Sequence, residues 1–507
     1  MKTAIEINET NALPELLAIL ERDEWHAHYE HTCEVAEYAQ ATATGKGIDK
    51  LINSLRTRET EDQKKQRADI TEALTPVATE MVKKYFRKVR KVDGVRKVWE
   101  LEQAQREEAV KENFDEFYAR QPADEYLFDM LEQYTFHDPN AFLIFEREDT
   151  RDDEGAVTDI TVFPTVVSCH SVRHFAYRRG VLSWLLIEHV HEGEKERARS
   201  EFYLYYPGHV LHMVEYHEQP DVDLIEQGYV PVQISEPIPR TFVYRDYMNG
   251  TREVPALRLS AYLDGRTMND TGVTPMAPAH PMMNKLINLG SLHDLTVFLH
   301  SIPRRRELVE QCEYEHPEHG VCNGGYLTNG HQCPACEGTG IKSITSEQDM
   351  IQVRLPMDYT ADQIPDLSRF AHVENADVNM LTWQQDSLDW LMKFIVYAVM
   401  TRDQVTMSEV SKTATELNLQ QQDVYDTLKP YTALYSQAYK LMVRIAAQYH
   451  ETEVVTKEHH FPEDFQFETM DSLVQRYRDA KDAGLGYHVL MRIQAEIIRK
   501  QTRDPEQ

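Results

Sequence analysis

The spacing of apolar residues changes character several times along the chain. From residue 14 to 135 the sequence reads as charged, glycine-poor helix. Between Thr60 and Val98, Ile70, Leu74, Val77, Met81 and Val82 recur close to helical spacing, and Pro76 is expected to interrupt that helix. From Phe142 onward the pattern switches to segments rich in β-branched and aromatic residues: FLIFERED, DITVFPTVVS, GVLSWLLIEHVHE and EFYLYYPGHVLHMVEYH. Turn signals at Asp152–Gly155 and Arg179–Gly180 separate them. These features predict a β-rich module over residues 140–262.

Helical spacing returns in MMNKLINLGSLHDLTVFLHSI, which Pro303 and the basic Arg304–Arg306 should terminate, cations being favourable at a helix C-terminus. A strand is expected over Met350–Pro356 and a second long helix over Val378–Met400. The two helices flank an insertion of about 75 residues, the pattern of a helical hairpin with a small lobe at its tip. Farther on, Val410, Ala414, Leu417, Gln421, Val424 and Leu428 form one stripe. That helix opens at Ser408 or, by capping-box spacing, at Thr413 with Glu416. Pro430 should kink or stop it before a second stripe, Leu434, Ala438, Leu441, Ile445 and Tyr449. The tail from Met470 to Lys500 reads as two short helices joined at Ala483–Tyr487. The expected fold class is therefore mixed α+β, mainly α, in several modules.

A chain of 507 residues is too long for one simple core. Its 54 Lys and Arg against 84 Asp and Glu give a net charge of −30, which excludes a protein that coats DNA but not one that lets DNA pass. Acidic residues interrupt the N-terminal segment at once, so no signal peptide is expected there. The most apolar stretch, Trp390–Met400, carries Lys393 and is about half the length a bilayer requires, so a buried helix and no membrane association are expected. Six cysteines in so long a chain form no disulfide framework and imply a reducing compartment; Cys33 and Cys169 read as isolated.

Against the acidic background, KKYFRKVRKVDGVRK (83–97) is densely basic. It reads as a solvated helix face followed by a turn, with a contact for an acidic partner or phosphates as the sharper alternative. His189, His191, His209, His212 and His217 are read as scattered by strand alternation and not as ligands, since no HExxH helix is present. Phosphate loops are missing: ATGKG (43–47) and GTGIKS (338–343) both lack the spacing that cradles phosphate. No GxSxG elbow occurs either, and no enzymatic activity is expected.

The strongest local signal is CEYEHPEHGVCNGGYLTNGHQCPACEGTG (312–340), with spacing Cys-x9-Cys-x10-Cys-x2-Cys. Thiolates three apart, Cys333 and Cys336, turn both sulfurs onto one ion, and Cys312 and Cys322 complete a tetrahedral zinc set. His316, His319 and His331 are substitute ligands, and four free buried thiols are the alternative. Glycines 320, 324, 325, 330, 338 and 340 allow the tight turns a knuckle needs. A structural ion is expected over a catalytic one, which would keep an open position and a general base. CPACEGTG also resembles one copy of the cysteine-rich repeat of DnaJ-type co-chaperones. A nucleic-acid-binding zinc ribbon is disfavoured, because the flanks read EYEHPEH and EGTG and not basic and aromatic.

Val410–Tyr431, VSKTATELNLQQQDVYDTLKPY, carries a small, polar S-x-T-A-T-E-x-N opening to a long helix and L-x-P near its end. With the stretches DPNAFLIFE (138–146) and GVLSWLLIEHV (180–190) and the order of parts, the chain resembles the portal protein of a tailed bacteriophage. That resemblance implies a ring, generally of twelve subunits, at a capsid vertex of the virion, assembled in the host cytoplasm. It implies double-stranded DNA passing through the channel and, as partners, the terminase large subunit, the major capsid protein and a head-completion or adaptor protein. It implies a wing over 1–262, stem helices in 263–303 and 378–400, a clip over 304–377, a channel loop and kinked wing helix over 401–460, and a crown over 461–507. Thr401, Arg402, Gln404, Ser408 and Ser411 would then lie in the loop lining the channel. Familiar portal clips lack a cysteine module, so the resemblance does not account for this one. The competing reading is a host metal-dependent enzyme or chaperone centred on Cys312–Cys336.

Overall fold

The computed structural model describes residues 6–54, 59–91, 95–118, 120–151, 157–191, 199–216, 222–234, 239–267, 271–300, 304–307, 312, 314–317, 319–338, 340, 371–374, 378–400, 414–461, 470–484 and 486–501. Of the described residues 50% are helical and 26% are strand, so the fold is mixed α+β with helix predominating. In order it forms α1 (Ala12–Glu21), α2 (Tyr29–Thr44), α3 (Glu61–Ile70), α4 (Thr75–Lys88), β1 (Arg96–Leu101), α5 (Ala104–Asp115) and α6 (Ala123–His137). The sheet-rich part follows: β2 (Phe142–Arg151), β3 (Val157–Val167), β4 (Val172–Arg178), β5 (Val181–His191), β6 (Arg199–Tyr206), β7 (His209–Tyr216), α7 (Val222–Glu226), β8 (Val230–Ile234), β9 (Arg240–Met248), β10 (Ala256–Arg258), β11 (Tyr262–Leu263) and β12 (Gly272–Val273). Then come α8 (His280–His300), β13 (Arg304–Glu307), β14 (Glu315–His316), β15 (Gly320–Val321), β16 (Ala371–Glu374), α9 (Val378–Met400), α10 (Ala414–Tyr449), β17 (Val454–His460), α11 (Met470–Asp482) and α12 (Tyr487–Gln501).

Two compact units emerge. The first comprises Met1–Asn53, Ala73–Asn288 and Asp389–Gln507, and the second Ser54–Glu72 and Leu289–Leu388. At the centre of the first is a six-stranded antiparallel sheet in the order β4-β5-β6-β7-β9-β8. Strand alternation explains how it is buried. Trp184, Leu186, Phe202, Leu204 and Tyr206 point to one face, against Leu16, Ile19 and Leu20 of α1. Leu185, Ile187 and Tyr205 point to the other, against Phe142 and Ile144 of β2. Both faces are covered, which is why WLLI at 184–187 reads as an unbroken apolar run. The hairpin between β4 and β5 turns at Arg179–Gly180, both at positive φ (52° and 81°), the conformation of a two-residue turn matched to strand twist.

The helical run expected from Thr60 is interrupted just before Pro76: α3 ends at Ile70, and Pro76 sits in the first turn of α4, where its missing N–H is no loss. Of the two outcomes expected at Pro430, a kink or a stop, the stop does not occur: α10 continues through it to Tyr449. Tertiary packing offsets the lost hydrogen bond. Tyr431 is fully buried against Phe86 and Phe128 and donates to the Phe128 carbonyl at 3.3 Å. Tyr435 donates to the Asp124 carbonyl and Tyr449 to that of Phe145, at 3.0 and 2.9 Å. Finally, β1 interrupts the helical N-terminal region and pairs antiparallel with β17. The second stripe of α10 is buried throughout, from Leu434 to Tyr449.

The basic run meets acidic partners within the chain. Arg87 Nε donates to Glu132 at 2.9 Å, Arg90 pairs with Glu125 at 2.7 Å and Lys97 with Asp124 at 2.5 Å, all three carboxylates lying on α6. Lys83 lies 3.3 Å from His137, and burial pushes its pKa down.

In the second unit, α3 opens with a capping box between Thr60 and Gln63. Arg67, almost fully buried, donates to Glu59 at 2.9 Å and to Ser291 Oγ at 2.7 Å. The helical hairpin is present here: His293 Nδ1 of α8 lies 3.3 Å from the buried Gln384 Oε1 of α9. Beyond the helices, β13 and β16 pair antiparallel with Arg304 opposite Glu374 and Glu307 opposite Ala371. Arg304–Arg306 therefore belong to a strand and do not end α8, because the backbone there has a cross-strand partner. The expected strand at Met350–Pro356 and helix starts at Ser408 or Thr413 lie outside the described residues, as do the turn at Asp152–Gly155 and Val410 of the first α10 stripe. Within that stripe Val424 and Leu428 are buried. The tail forms α11 and α12 as expected. No helix among the described residues is long and apolar enough to cross a membrane.

Candidate metal centre

The four clustered cysteines are brought together by a short hairpin and a tight turn. Cys312 precedes β14 and Cys322 follows β15, whose pairing sets Glu315 opposite Val321. The Cys322 N–H donates to the Tyr314 carbonyl at 2.8 Å. Cys333 and Cys336 lie at the start of a turn docked on the hairpin: Cys333 N–H donates to the Gly325 carbonyl at 2.8 Å and Cys312 N–H to that of Gly340 at 3.0 Å.

All six glycines picked out by the sequence have positive φ. At Gly325 the requirement is strict, with φ at 100° and a Cβ that would fall 2.2 Å from the Gly338 carbonyl oxygen. The two halves of the lobe thus touch backbone to backbone, which side chains would prevent.

Sγ of Cys312 lies 3.9 Å from that of Cys333, and Sγ of Cys322 lies 3.7 Å from that of Cys336. All four sulfurs fall within 4.8 Å of one another. A tetrahedral tetrathiolate site with metal–sulfur bonds of about 2.3 Å holds its sulfurs about 3.8 Å apart. All four side chains are buried, Cys333 completely. The group can hold a metal ion. Four protein donors leave no open position, so such an ion would cross-link the lobe and offer no coordination site to a substrate.

Burial pushes Cys322 up to about 12. For Cys336 burial acts the same way, but the Gly340 N–H and the neighbouring Cys322 thiol outweigh it and hold the group down at about 7. Cys312 is raised: the Tyr314 N–H pulls down, while burial and the thiols of Cys336 and Cys333 push up more strongly. A bound cation would relieve this conflict by favouring the thiolate form at every position.

Cys312, Cys322, Cys333 and Cys336 therefore converge as the spacing predicts, and among the described residues no histidine joins them. His316 and His319 instead stack on each other with centroids 4.5 Å apart. The sheet histidines are held in ordinary polar contacts. His212 bonds Glu201 and Tyr229 at 2.7 and 2.6 Å, and His209 lies 3.3 Å from Asp246. His217 lies outside the described residues, as do Thr401, Arg402, Gln404, Ser408 and Ser411.

Sequence reasoning missed one cluster. Cys33 and Cys169, read as isolated, meet in space, with His170 beside them. No local spacing signals a meeting of residues on α2 and on the β3–β4 connection. In comparison with known proteins, no family model matches this chain and no curated protein matches it.

Proposed function

We propose that this chain is the portal subunit of a tailed bacteriophage, assembling as a dodecameric ring that conducts DNA during packaging and ejection. One observation carries the reading: a helical hairpin, α8 and α9, leads through the paired strands β13 and β16 to a small cysteine-bound lobe. A β-rich module precedes the hairpin, and a long helix and two short tail helices follow it. In that reading α8 and α9 are stem helices and the lobe belongs to the clip, which docks the terminase large subunit and later a head-completion protein. The major capsid protein surrounds the ring. The reading assigns residues 401–411, which lie outside the described residues, to the channel.

The ion is zinc, in a structural role. Four buried thiolates are the donor set zinc takes in closed sites, and a lobe this small has too little apolar core to hold its shape alone. The net charge of −30 suits a conduit that must not retain phosphates. The protein itself is not an enzyme in this reading; ATP hydrolysis belongs to the motor partner.

Negative-stain electron microscopy with mass photometry tests the proposal. The expected result is annular particles near twelve times 59.0 kDa. A monomer at every salt and protein concentration, with a metal-dependent turnover lost on Cys333→Ser, would overturn it in favour of a host enzyme.

A further inference from the structure

The two cysteines outside the lobe are separated by four α-helices, β1 and the whole β2–β3 hairpin, yet the fold places them together. Cys33 Sγ, Cys169 Sγ and a ring nitrogen of His170 all lie within 4.8 Å of one another. Cys33 is on α2, and Cys169 opens the single 3-10 turn Cys169–Ser171 between β3 and β4.

That turn is fixed by groups other than the three donors. Asp138 Oδ2 accepts from the Cys169 N–H at 2.9 Å and from Ser168 Oγ at 2.8 Å. Tyr29 OH, one helical turn before Cys33, donates to the His170 carbonyl at 3.0 Å. The Cys169 thiol itself donates only weakly, to the Thr32 carbonyl at 3.7 Å. The donors are therefore held in place before anything binds. Burial is graded: Cys169 is buried, Cys33 is half-buried and His170 is exposed, which leaves an approach from solvent on the histidine side.

We propose that Cys33, Cys169 and His170 form a second metal site, for a soft divalent cation of the zinc class. Two sulfurs and one imidazole are a donor set such ions favour, and three protein ligands leave a fourth position for water. The Asp138 carboxylate, bonded to the Cys169 backbone, supplies the outer-sphere anion that orients the turn and favours a cation. On binding, each thiol releases its proton to solvent and donates its sulfur lone pair to the ion. This site differs from the lobe's centre in keeping an open position, and it does not depend on the portal reading.

Cadmium titration tests it, with metal counted by elemental mass spectrometry after desalting. The full-length protein is expected to retain two equivalents. Cys33→Ser and the lobe variant Cys333→Ser/Cys336→Ser should each retain one, and their combination none. His170 is exposed and its replacement leaves the core untouched, so His170→Ala provides a fold-neutral check, with second-site affinity falling about tenfold or more. Circular dichroism establishes that each variant folds. Retention of one equivalent by the unmodified protein overturns the proposal. So does retention of both by folded Cys33→Ser, or an intact mass showing Cys33 disulfide-bonded to Cys169. Loss of the first equivalent alone in the lobe variant separates this site from the lobe's.

Discussion

The six-stranded sheet and the cysteine lobe solve the same problem by opposite means. The sheet has two apolar faces, each backed by another element, and its two clusters draw on residues from α1, β2 to β10 and the turns between. Among the described residues the lobe has almost no apolar interior: beyond its four cysteines only Leu327 is buried in the cluster, with Tyr314 packed at its side. The sheet is held by area removed from water, and it tolerates long-range assembly because many contacts share the load. The lobe is held by a few donors at fixed separation, so its stability is concentrated in four atoms.

The largest effect expected from this contrast comes from removing the ion proposed for the lobe. Chelation, or Cys333→Ser, should abolish amide-exchange protection across 312–340 while leaving 181–216 unchanged, since binding energy of about 10 kcal/mol is folding energy in such sites. Equal loss in both regions would erase the distinction. Next in size is Phe202→Ala. Phe202 is fully buried on the α1 side of the sheet, and truncation should lower unfolding stability by about 3–5 kcal/mol in denaturant melts, with metal content unchanged.

Acid should act on the first unit through its buried histidines. Burial, helped by His174, holds His26 down at about 4, and burial, helped by Lys97, does the same for His459. A histidine whose folded pKa lies below its unfolded value of 6.5 takes up its proton only on unfolding. Its contribution is therefore present above pH 6.5 and is lost as the pH falls toward 4. For these two the loss between pH 7 and pH 5 is on the order of 2 kcal/mol each. A pH series of melts should show it, and His459→Asn should flatten the curve. The smallest effect sharpens the picture of the sheet. Arg179 holds a positive φ that glycine adopts freely, so Arg179→Gly should raise the melting midpoint, by about 0.5–1 kcal/mol in stability, with no effect on the lobe.

What the sequence made legible follows the same division. Features written in local spacing were readable. The apolar run of α9 has the expected bounds, the tail helices break where Ala483–Tyr487 announces it, and the cysteine spacing delivers four converging sulfurs. Features that depend on distant partners were not. β1 looks like more charged helix until β17 is set beside it. The basic run looks solvated until α6 supplies Glu132, Glu125 and Asp124. Whether Pro430 kinks or stops its helix cannot be told locally, and the aromatic contacts of Tyr431 with Phe86 and Phe128 are what hold the helix past it. Cys33 and Cys169 carry no mutual signal because nothing in either neighbourhood refers to the other.

The pairing of β1 with β17 has a consequence for synthesis. Arg96 finds its partner only at His460. At ordinary elongation rates about 20–70 seconds separate the emergence of one strand from that of the other. Throughout that interval the earlier strand leaves the ribosome with an open edge, a window in which a nascent chain is most exposed to mispairing and to chaperone capture.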